Sequence, residues 1–462
     1  MTPPAPEPIY KDQVLKVEPT GIERVSDAQR HGRPWHLFGV WFSANAEIAT
    51  WMVGLTIAAF YGTNLRGAAI GIAIGNVVGF AILGFLAGMG PRYGVPQMVA
   101  GRLAFGRSGN VAPAALSFLA GVGWFAINTV FGAYALQTLA GLPYAIALGV
   151  MLALQVILAV YGYNLIHLFE RASVVLLALG FLALGVVTFE HARWNLPFNA
   201  HAPSAGGGAI GGFIFATALT FSYALGWVPC ASDYSRYLPA ATNPRAIWWY
   251  SFAGCALPCI ALEIMGAAVV TAAHGVDFTT ALPTQAVSAL LGTGWVAKVV
   301  LVAVVLGTLT ANCMNLYSGS LAALVAFDVR VKRAVAALAV GVIGAVLATR
   351  GGNPAQTAGA YTNFLLLLSY WASPWAGVVL VDWWMRGDGD PQRASRWRAG
   401  LAAWLVGLAL SAPFWNQAWF VGPVARAFPQ LGDLSYYVGF SVAAIAMALL
   451  SLRFRTRTPA IE

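Results

Sequence analysis

The chain has 462 residues, of which 59% are apolar and only 9% charged, and its formal net charge is +9. Ordinary globular proteins contain about 25% charged residues, so a soluble fold of this length could not cover its surface with polar groups. The charges stand in short clusters between long uncharged stretches, which is typical of a chain dissolved in lipid. We therefore expect the lipid bilayer, and not nucleic acid, to be the partner of this chain.

Twelve apolar runs approach or exceed the length of about twenty residues that a helix needs to cross a bilayer. They lie at 37–60, 67–89, 111–139, 142–162, 168–188, 209–231, 246–272, 296–326, 331–349, 358–383, 397–416 and 435–453. Continuous apolar runs predict helices and not a barrel, because a barrel strand alternates between lipid and lumen. The tail at 1–35 has no short apolar core of a signal peptide, so the first run is expected to remain as a span.

Basic residues indicate the orientation, since lysine and arginine concentrate in cytoplasmic loops. If the amino terminus is cytoplasmic, only five of the 26 basic residues lie outside, namely Arg66, Arg193, Lys298, Arg350 and Arg426. We expect a multi-pass protein of the plasma or inner membrane with both termini in the cytoplasm.

The first span carries Ser43, Asn45 and Glu47 near its middle. Three polar side chains within one and a half turns point to several faces, which favours a helix that is unwound beside a cavity. Hydrogen bonding to neighbouring helices is the alternative. A carboxyl group enclosed away from water can hold a proton at neutral pH, so Glu47 is a candidate coupling group, although a purely structural role is as plausible from the sequence.

In the second span Gly67, Gly71 and Gly75 form a ladder of small residues that predicts close helix packing. In the third span Trp124 and Asn128 are four residues apart and therefore share a face. An indole beside a carboxamide offers a planar heterocycle a ring to stack on and an edge to pair with.

The sixth span ends in Gly226 and Pro229, and proline removes an amide and disrupts the preceding turn. We expect a break there, close to Tyr223 and Trp227. Breaks at corresponding positions of two five-helix halves indicate an inverted-repeat transporter with a site at mid-membrane.

The eighth span places Thr308, Asn312 and Asn315 on one stripe of an otherwise apolar helix. A carboxamide exposed to lipid leaves its hydrogen-bonding groups unmet, so the stripe faces protein or a polar site. Bonding between helices remains the alternative for a single asparagine.

The chain has no phosphate-binding loop, metal-binding HExxH or nucleophile triad, so we expect neither an enzyme nor a metal or organic cofactor. A passive channel or a non-transporting sensor is the alternative of another class. A channel predicts a continuous polar pore, whereas the polar residues here cluster at one depth.

Five stretches carry a family resemblance: WFSANAEI, GPRYGVPQMVAGRLAFGRSGN, GWFAINTVFG, GWVPCASDYSRYLP and ANCMNLYSGSL. With them the chain resembles the nucleobase:cation symporter-1 family, and within it the purine–cytosine permease branch. The resemblance implies an all-α membrane protein of the neurotransmitter-symporter type with two inverted five-helix repeats. The expected units are the tail 1–35, the ten-helix core 36–395, two C-terminal helices at 396–455 and the tail 456–462.

The resemblance also implies roles for single residues. Trp124 stacks on the substrate ring, and Asn128 and Asn315 hydrogen-bond it, with Asn312 on the same stripe as Asn315. An aromatic residue of the sixth helix closes the other ring face, with Tyr223 as the first choice and Trp227 as the second. Ser43 is similar to a serine that contacts substrate in fungal members.

In sodium-coupled members the ion lies between carbonyls of the first helix and two hydroxyls of the eighth. At the hydroxyl positions this chain has Leu309 and Thr310. A site that lacks one oxygen ligand binds Na⁺ less well, so H⁺ is favoured over Na⁺, with Asn45, Glu47 and Thr310 as the candidate coupling residues.

The leading hypothesis is therefore secondary active import of a nucleobase, such as cytosine or a purine, together with a coupling ion. Pyridoxine, a thiamine pyrimidine, allantoin and hydantoin are alternative substrates, because the same stacking and amide geometry serves each of them.

Overall fold

The structure is a computed structural model, and it describes residues 20–161, 163–273, 275–329, 331–386, 389–417 and 419–455. The α-helices in these ranges are α1 (His36–Asn45), α2 (Ile48–Ala59), α3 (Leu65–Ala87), α4 (Met89–Tyr93), α5 (Gln97–Ala100), α6 (Arg102–Gly109), α7 (Val111–Ala140), α8 (Tyr144–Tyr161), α9 (Tyr163–His191), α10 (Gly208–Trp227), α11 (Pro244–Ala272), α12 (Pro283–Leu291), α13 (Trp295–Phe327), α14 (Arg333–Ala348), α15 (Pro354–Arg386), α16 (Gly400–Ser411), α17 (Pro423–Ala427) and α18 (Ser435–Arg455). Two short strands, β1 (Asn416–Gln417) and β2 (Phe420–Val421), pair antiparallel.

The predicted spans coincide with helices. Among the described residues, nine helices are long and apolar enough to cross a membrane, and three shorter apolar helices (Ile48–Ala59, Tyr144–Ile157 and Gly400–Phe414) lie in the remaining predicted runs. The prediction of about twelve membrane-spanning segments is therefore confirmed, with the first segment divided between α1 and α2.

The helices pack in two groups. The broken first span (α1 and α2), α3, α10 and α11 contact one another, and α7, α8, α13 and α14 form a second mutually packed group. Helices α16 and α18 pack against each other and against α15. The first group contains spans 1, 2, 6 and 7, and the second contains spans 3, 4, 8 and 9. They correspond to the bundle and the scaffold, respectively, of an inverted-repeat transporter.

Glycines bring helices of the bundle into backbone contact. A Cβ atom at Gly54 of α2 would lie 1.6 Å from the Glu263 carbonyl oxygen of α11, and one at Gly266 would lie 1.8 Å from the Trp51 carbonyl oxygen. Only glycine permits this approach, as in other tightly packed membrane helices.

The predicted glycine ladder of the second span is correct at two of its three positions. A Cβ atom at Gly71 would lie 2.9 Å from the Ala216 Cβ, and one at Gly75 would lie 2.0 Å from the Thr220 Oγ1, so α3 and α10 pack closely there. Gly67 lies instead in the first turn of α3, where its amide donates to the Asn64 side chain at 2.8 Å. A capping bond, and not helix contact, occupies that position.

The segment between the second and third predicted spans folds into the short helices α4, α5 and α6. Gln97 joins this segment to the chain that follows α10. The backbone amide of Gln97 donates to the Asp233 Oδ1 at 2.8 Å, and its side-chain Oε1 accepts from the backbone amide of Ser232 at 3.2 Å. We refer to the end of the bundle that carries this segment and residues 20–35 as the N-terminal face.

Candidate substrate and cation site

The first span is interrupted at Ala46 and Glu47, as the polar cluster predicted. Ala46 adopts φ −78° and ψ 66°, and Glu47 is extended at φ −139° and ψ 165°. The Thr50 hydroxyl donates to the Asn45 carbonyl at 2.7 Å across the break. Gly307 of α13 lies against it, because a Cβ atom there would be 2.7 Å from the Ala46 carbonyl oxygen. The break therefore places main-chain polar groups inside the protein.

The sixth span is also interrupted where predicted. Helix α10 ends at Trp227, and a 3₁₀ turn over Val228–Cys230 with proline at its second position follows. Tyr223, one turn before this end, joins the two breaks, since its hydroxyl lies 2.6 Å from the Thr50 Oγ1 and donates to the Glu47 Oε1 at 3.4 Å.

Aromatic rings surround Trp124. The Tyr223 ring meets it edge to face at 5.6 Å, and α15 supplies Phe364 at 5.3 Å and Tyr361 at 6.3 Å. Trp227, the second choice for the ring-closing role, contacts Trp41 at 5.8 Å. The structure therefore brings Tyr223 to Trp124.

Sequence reasoning did not single out Tyr361 and Phe364. The Tyr361 hydroxyl also donates to the Ala49 carbonyl at 2.5 Å, so α15 holds the start of α2. Their spacing of three residues on one helix is a signal of a shared aromatic face, but it does not tell which neighbour that face meets.

Asn128 and Glu47 form the polar part of the site. Both residues are buried, and the Asn128 carboxamide lies close to the Glu47 carboxyl without reaching the geometry of a hydrogen bond. Neither polar atom of the Asn128 side chain has a hydrogen-bond partner among the described residues, and the same holds for Glu47 Oε2. Since buried polar groups are nearly always paired, these atoms have the capacity to bind a polar ligand.

The three polar side chains of the predicted stripe on α13 form hydrogen bonds with α7 or within α13. Asn312 donates to the Phe125 carbonyl at 2.9 Å and to the Thr129 Oγ1 at 3.0 Å, so its amide ties α13 to α7. Asn315 in turn donates to the Asn312 Oδ1 at 3.2 Å. Thr308 bonds within its own helix, to the Val305 carbonyl at 2.9 Å. For the amide of Asn312, the alternative of hydrogen bonding between helices is therefore the one observed.

The candidate cation residues lie where α1 meets α13. The Thr310 hydroxyl donates to the Ser43 carbonyl at 2.9 Å, which brings together the two elements expected to coordinate an ion. Leu309 belongs to an apolar cluster with Ala126, Val130 and Met151. The leucine side chain supplies packing between α7, α8 and α13.

The remaining polar side chains of α1 bond within the protein. The Ser43 hydroxyl donates to the carbonyls of Gly39 and Val40, at 2.9 and 3.1 Å. The Asn45 amide donates to the Trp41 carbonyl at 2.9 Å, and its oxygen accepts from the Cys259 thiol at 3.3 Å. These bonds stabilise the end of α1 beside the break.

On the side of the N-terminal face, the chain after α10 contacts both α1 and α13. Tyr234, in the chain after α10, packs against the Trp41 ring at 5.3 Å, and its hydroxyl donates to the Met314 carbonyl at 3.0 Å. Toward the opposite face, a cavity of about 580 Å³ extends between the end of α2 at Phe60 and Tyr61, helix α15 and β1. A bundle with two broken helices beside an interior polar site is the architecture of a secondary transporter.

The chain belongs to the family of permeases for cytosine/purines, uracil, thiamine and allantoin, whose sequence model matches residues 24–439. It is 28% identical to the "Putative purine-cytosine permease YxlA" of Bacillus subtilis, over 94% of this chain and 96% of that protein. It is 26% identical to the purine-cytosine permease fcyB of Emericella nidulans, over 94% of this chain and 88% of that protein. The predicted membership of the purine–cytosine branch of the nucleobase:cation symporters is confirmed, and the protein is a transporter and not an enzyme.

The fold agrees with that of a solved transporter. Mhp1, a nucleobase-cation-symport-1 family transporter in a closed conformation with bromovinylhydantoin bound, superposes with a TM-score of 0.74 at 21% identity, over 95% of this chain and 96% of that one. Its inward-facing conformation gives a TM-score of 0.69 at 19% identity. The predicted inverted-repeat architecture is thereby confirmed.

Proposed function

We propose that this protein imports a nucleobase, cytosine or a purine, by alternating access and in symport with a proton. The observation that carries the proposal is the buried carboxamide of Asn128, which has no hydrogen-bond partner among the described residues and lies one helical turn after Trp124 on the same face of α7. A carboxamide offers one acceptor and two donors, which matches the mixed donor and acceptor edge of a nucleobase, and the indole gives its flat face a partner.

Tyr223 is the residue we assign to the second face of the base. Its ring now meets Trp124 edge to face, so binding requires the tyrosine to swing aside and lie over the ligand. Asn315, whose side-chain amide donates to the Asn312 Oδ1, is the second hydrogen-bonding group of the proposal. Ser43, Asn312 and Trp227 support this arrangement through their contacts with α1, α7 and Trp41.

Proton coupling is proposed for two reasons. Leu309 packs in an apolar cluster and Thr310 bonds directly to the Ser43 carbonyl, so a sodium ion would find one side-chain hydroxyl instead of two. Glu47 lies at the break, and its Oε2 has no hydrogen-bond partner within the described ranges, so a proton bound together with substrate would neutralise the carboxylate there. Asn45 holds the helix end that carries Glu47.

We assign the protein to the plasma or inner membrane with both termini in the cytoplasm, so that its N-terminal face is cytoplasmic. The distribution of basic residues between loops supports this orientation. We divide the chain into a ten-helix transport core at 36–395 and two additional helices at 396–455.

Uptake of labelled cytosine, adenine and hypoxanthine by a host that lacks its own carriers tests the substrate. Unlabelled nucleobases are expected to compete, and Trp124→Ala is expected to abolish uptake while the protein still inserts. If pyridoxine, allantoin or hydantoin competes and nucleobases have no effect, the competing compound and not a nucleobase is the substrate.

Glu47→Gln tests the coupling. A glutamine keeps the shape but cannot release a proton, so we expect uptake to lose its dependence on external pH. A strict requirement for Na⁺ that survives the substitution would refute proton coupling.

A further inference from the structure

A second polar cavity lies at the N-terminal face, away from the transport site. It has a volume of about 360 Å³ and forms where α6, the end of α13 and the segment before α16 meet. Its charged lining consists of three arginines (Arg102, Arg107 and Arg396) and one carboxylate (Asp328). The cavity is therefore a site of positive charge built from three separate parts of the chain.

Arg102 is the buried member of this group. Its side chain is 5% exposed, and its Nε has no hydrogen-bond partner among the residues that the structure describes. Burial lowers the pKa of Arg102, Arg107 lowers it further, and Asp328 opposes both. A buried guanidinium without a hydrogen-bonded anion is costly, which indicates that its neighbours do not complete its environment.

The other charged groups do not supply that anion. Asp328 lies 3.9 Å from Arg107, but the two side chains are 73% and 53% exposed, so water weakens their attraction. Arg396 donates to the Ser108 hydroxyl at 3.2 Å, which is a neutral acceptor. Three positive charges against one negative charge leave an excess that a bound anion would neutralise.

The start of α7 adds to this preference. Val111, the first residue of this 30-residue helix, lines the cavity. The first amides of a helix present partial positive charge, and since Pro113 has no N–H, the amides of Val111 and Ala112 are the ones that can do so here. Phosphate groups bind at such positions, and arginine matches their oxygens in pairs.

Exposed apolar side chains adjoin the cavity. Val111 lines it and is 41% exposed, while Phe327 and Trp397, at 59% and 57% exposed, are the chain neighbours of the lining residues Asp328 and Arg396. Exposed tryptophan is enriched at the headgroup level of a bilayer, so Trp397 next to Arg396 is consistent with lipid headgroups at this depth. We propose that this cavity binds the phosphate group of an anionic phospholipid, which bridges the segment before α7 to the segment before α16.

Thermal unfolding of the purified full-length protein in neutral detergent tests the site. Phosphatidylglycerol, phosphatidylcholine and inorganic phosphate are titrated separately, and the apparent melting temperature is followed. Phosphatidylglycerol is expected to raise it at the lowest concentration. In Arg102→Gln and Arg396→Gln the midpoint should move to at least roughly tenfold higher lipid, the effect of removing one charge-assisted bond.

Arg245→Gln is the matched control, because Arg245 is exposed on the same face and does not line the cavity. If Arg102→Gln does not fold, the exposed Arg396 carries the test alone. Equal protection by inorganic phosphate, lost in the same variants, would keep the phosphate site and overturn its lipid source. Phosphatidylglycerol protection that persists in both variants, or disappears in the control, would overturn the site.

Discussion

Replacing Asn128 by leucine is expected to abolish transport without lowering stability. Both polar atoms of the Asn128 side chain are buried and have no hydrogen-bond partner in the part of the chain that the structure describes, and each such group costs about 1–3 kcal/mol. Leucine has the same branched shape and no polar atoms. Since the larger methyl groups must fit into the space of the carboxamide, we expect only part of this cost to be recovered. The free energy of unfolding should therefore rise by about 0–2 kcal/mol.

Asn312→Leu is the matched control, because it makes the same chemical change on the neighbouring helix. It removes the bonds to the Phe125 carbonyl and the Thr129 hydroxyl and leaves the Asn315 amide without its acceptor. Hydrogen bonds between membrane helices average about 0.6 kcal/mol and reach about 2 kcal/mol. The control should therefore lose about 1–3 kcal/mol, a change of opposite sign.

The two variants are compared by thermal unfolding in detergent without substrate and by uptake of labelled cytosine into proteoliposomes. We expect Asn128→Leu to melt at or above the wild-type temperature and to show no uptake. An Asn128→Leu protein that melts below Asn312→Leu, or that transports at the wild-type rate, would refute the assignment of Asn128 to substrate.

Two further predictions concern stability. Gly54→Ala should prevent normal folding, because its methyl would lie 1.6 Å from the Glu263 carbonyl oxygen. Gly149→Ala should be neutral or stabilising, because its methyl would meet no atom of another described element within 4 Å. The yields of monodisperse protein compare the two variants, and equal yields contradict the prediction. Burial raises the pKa of Asp433 above its usual value. The contribution of this group to stability is therefore complete below its unfolded-state pKa and is lost as the pH rises through its folded-state pKa. Melting temperatures between pH 4 and pH 8 should show this decline in the wild type and not in Asp433→Asn, and parallel profiles would exclude the effect.

The buried Asp433 side chain connects the short loop before α18 to its neighbours. It accepts hydrogen bonds from the Tyr370 hydroxyl at 2.9 Å, from the Asn416 amide at 3.2 Å and from the Ser435 amide at 3.0 Å. The loop thus joins α15, β1 and α18 at the rim of the cavity on the opposite face. Nothing in the hydropathy of this segment predicts the network, because its partners are up to 63 residues apart.

The sequence by itself determined the properties that arise within one segment. Length and hydropathy located the spans, because a helix in lipid needs a continuous apolar run to satisfy its own amides. The break in the first span followed from the three polar residues before Ile48, and the break after Trp227 followed from Pro229, which cannot donate a helical hydrogen bond. Both effects act over a few residues and are therefore readable locally.

The tertiary structure alone decided which helix faces meet. The sequence placed Asn312 and Asn315 on one stripe, but only packing against α7 committed the Asn312 amide to Phe125 and Thr129. It likewise put Tyr361 and Phe364 next to Trp124. The rotation of each helix about its axis depends on contacts with all its neighbours at once, so the composition of the site required the folded chain.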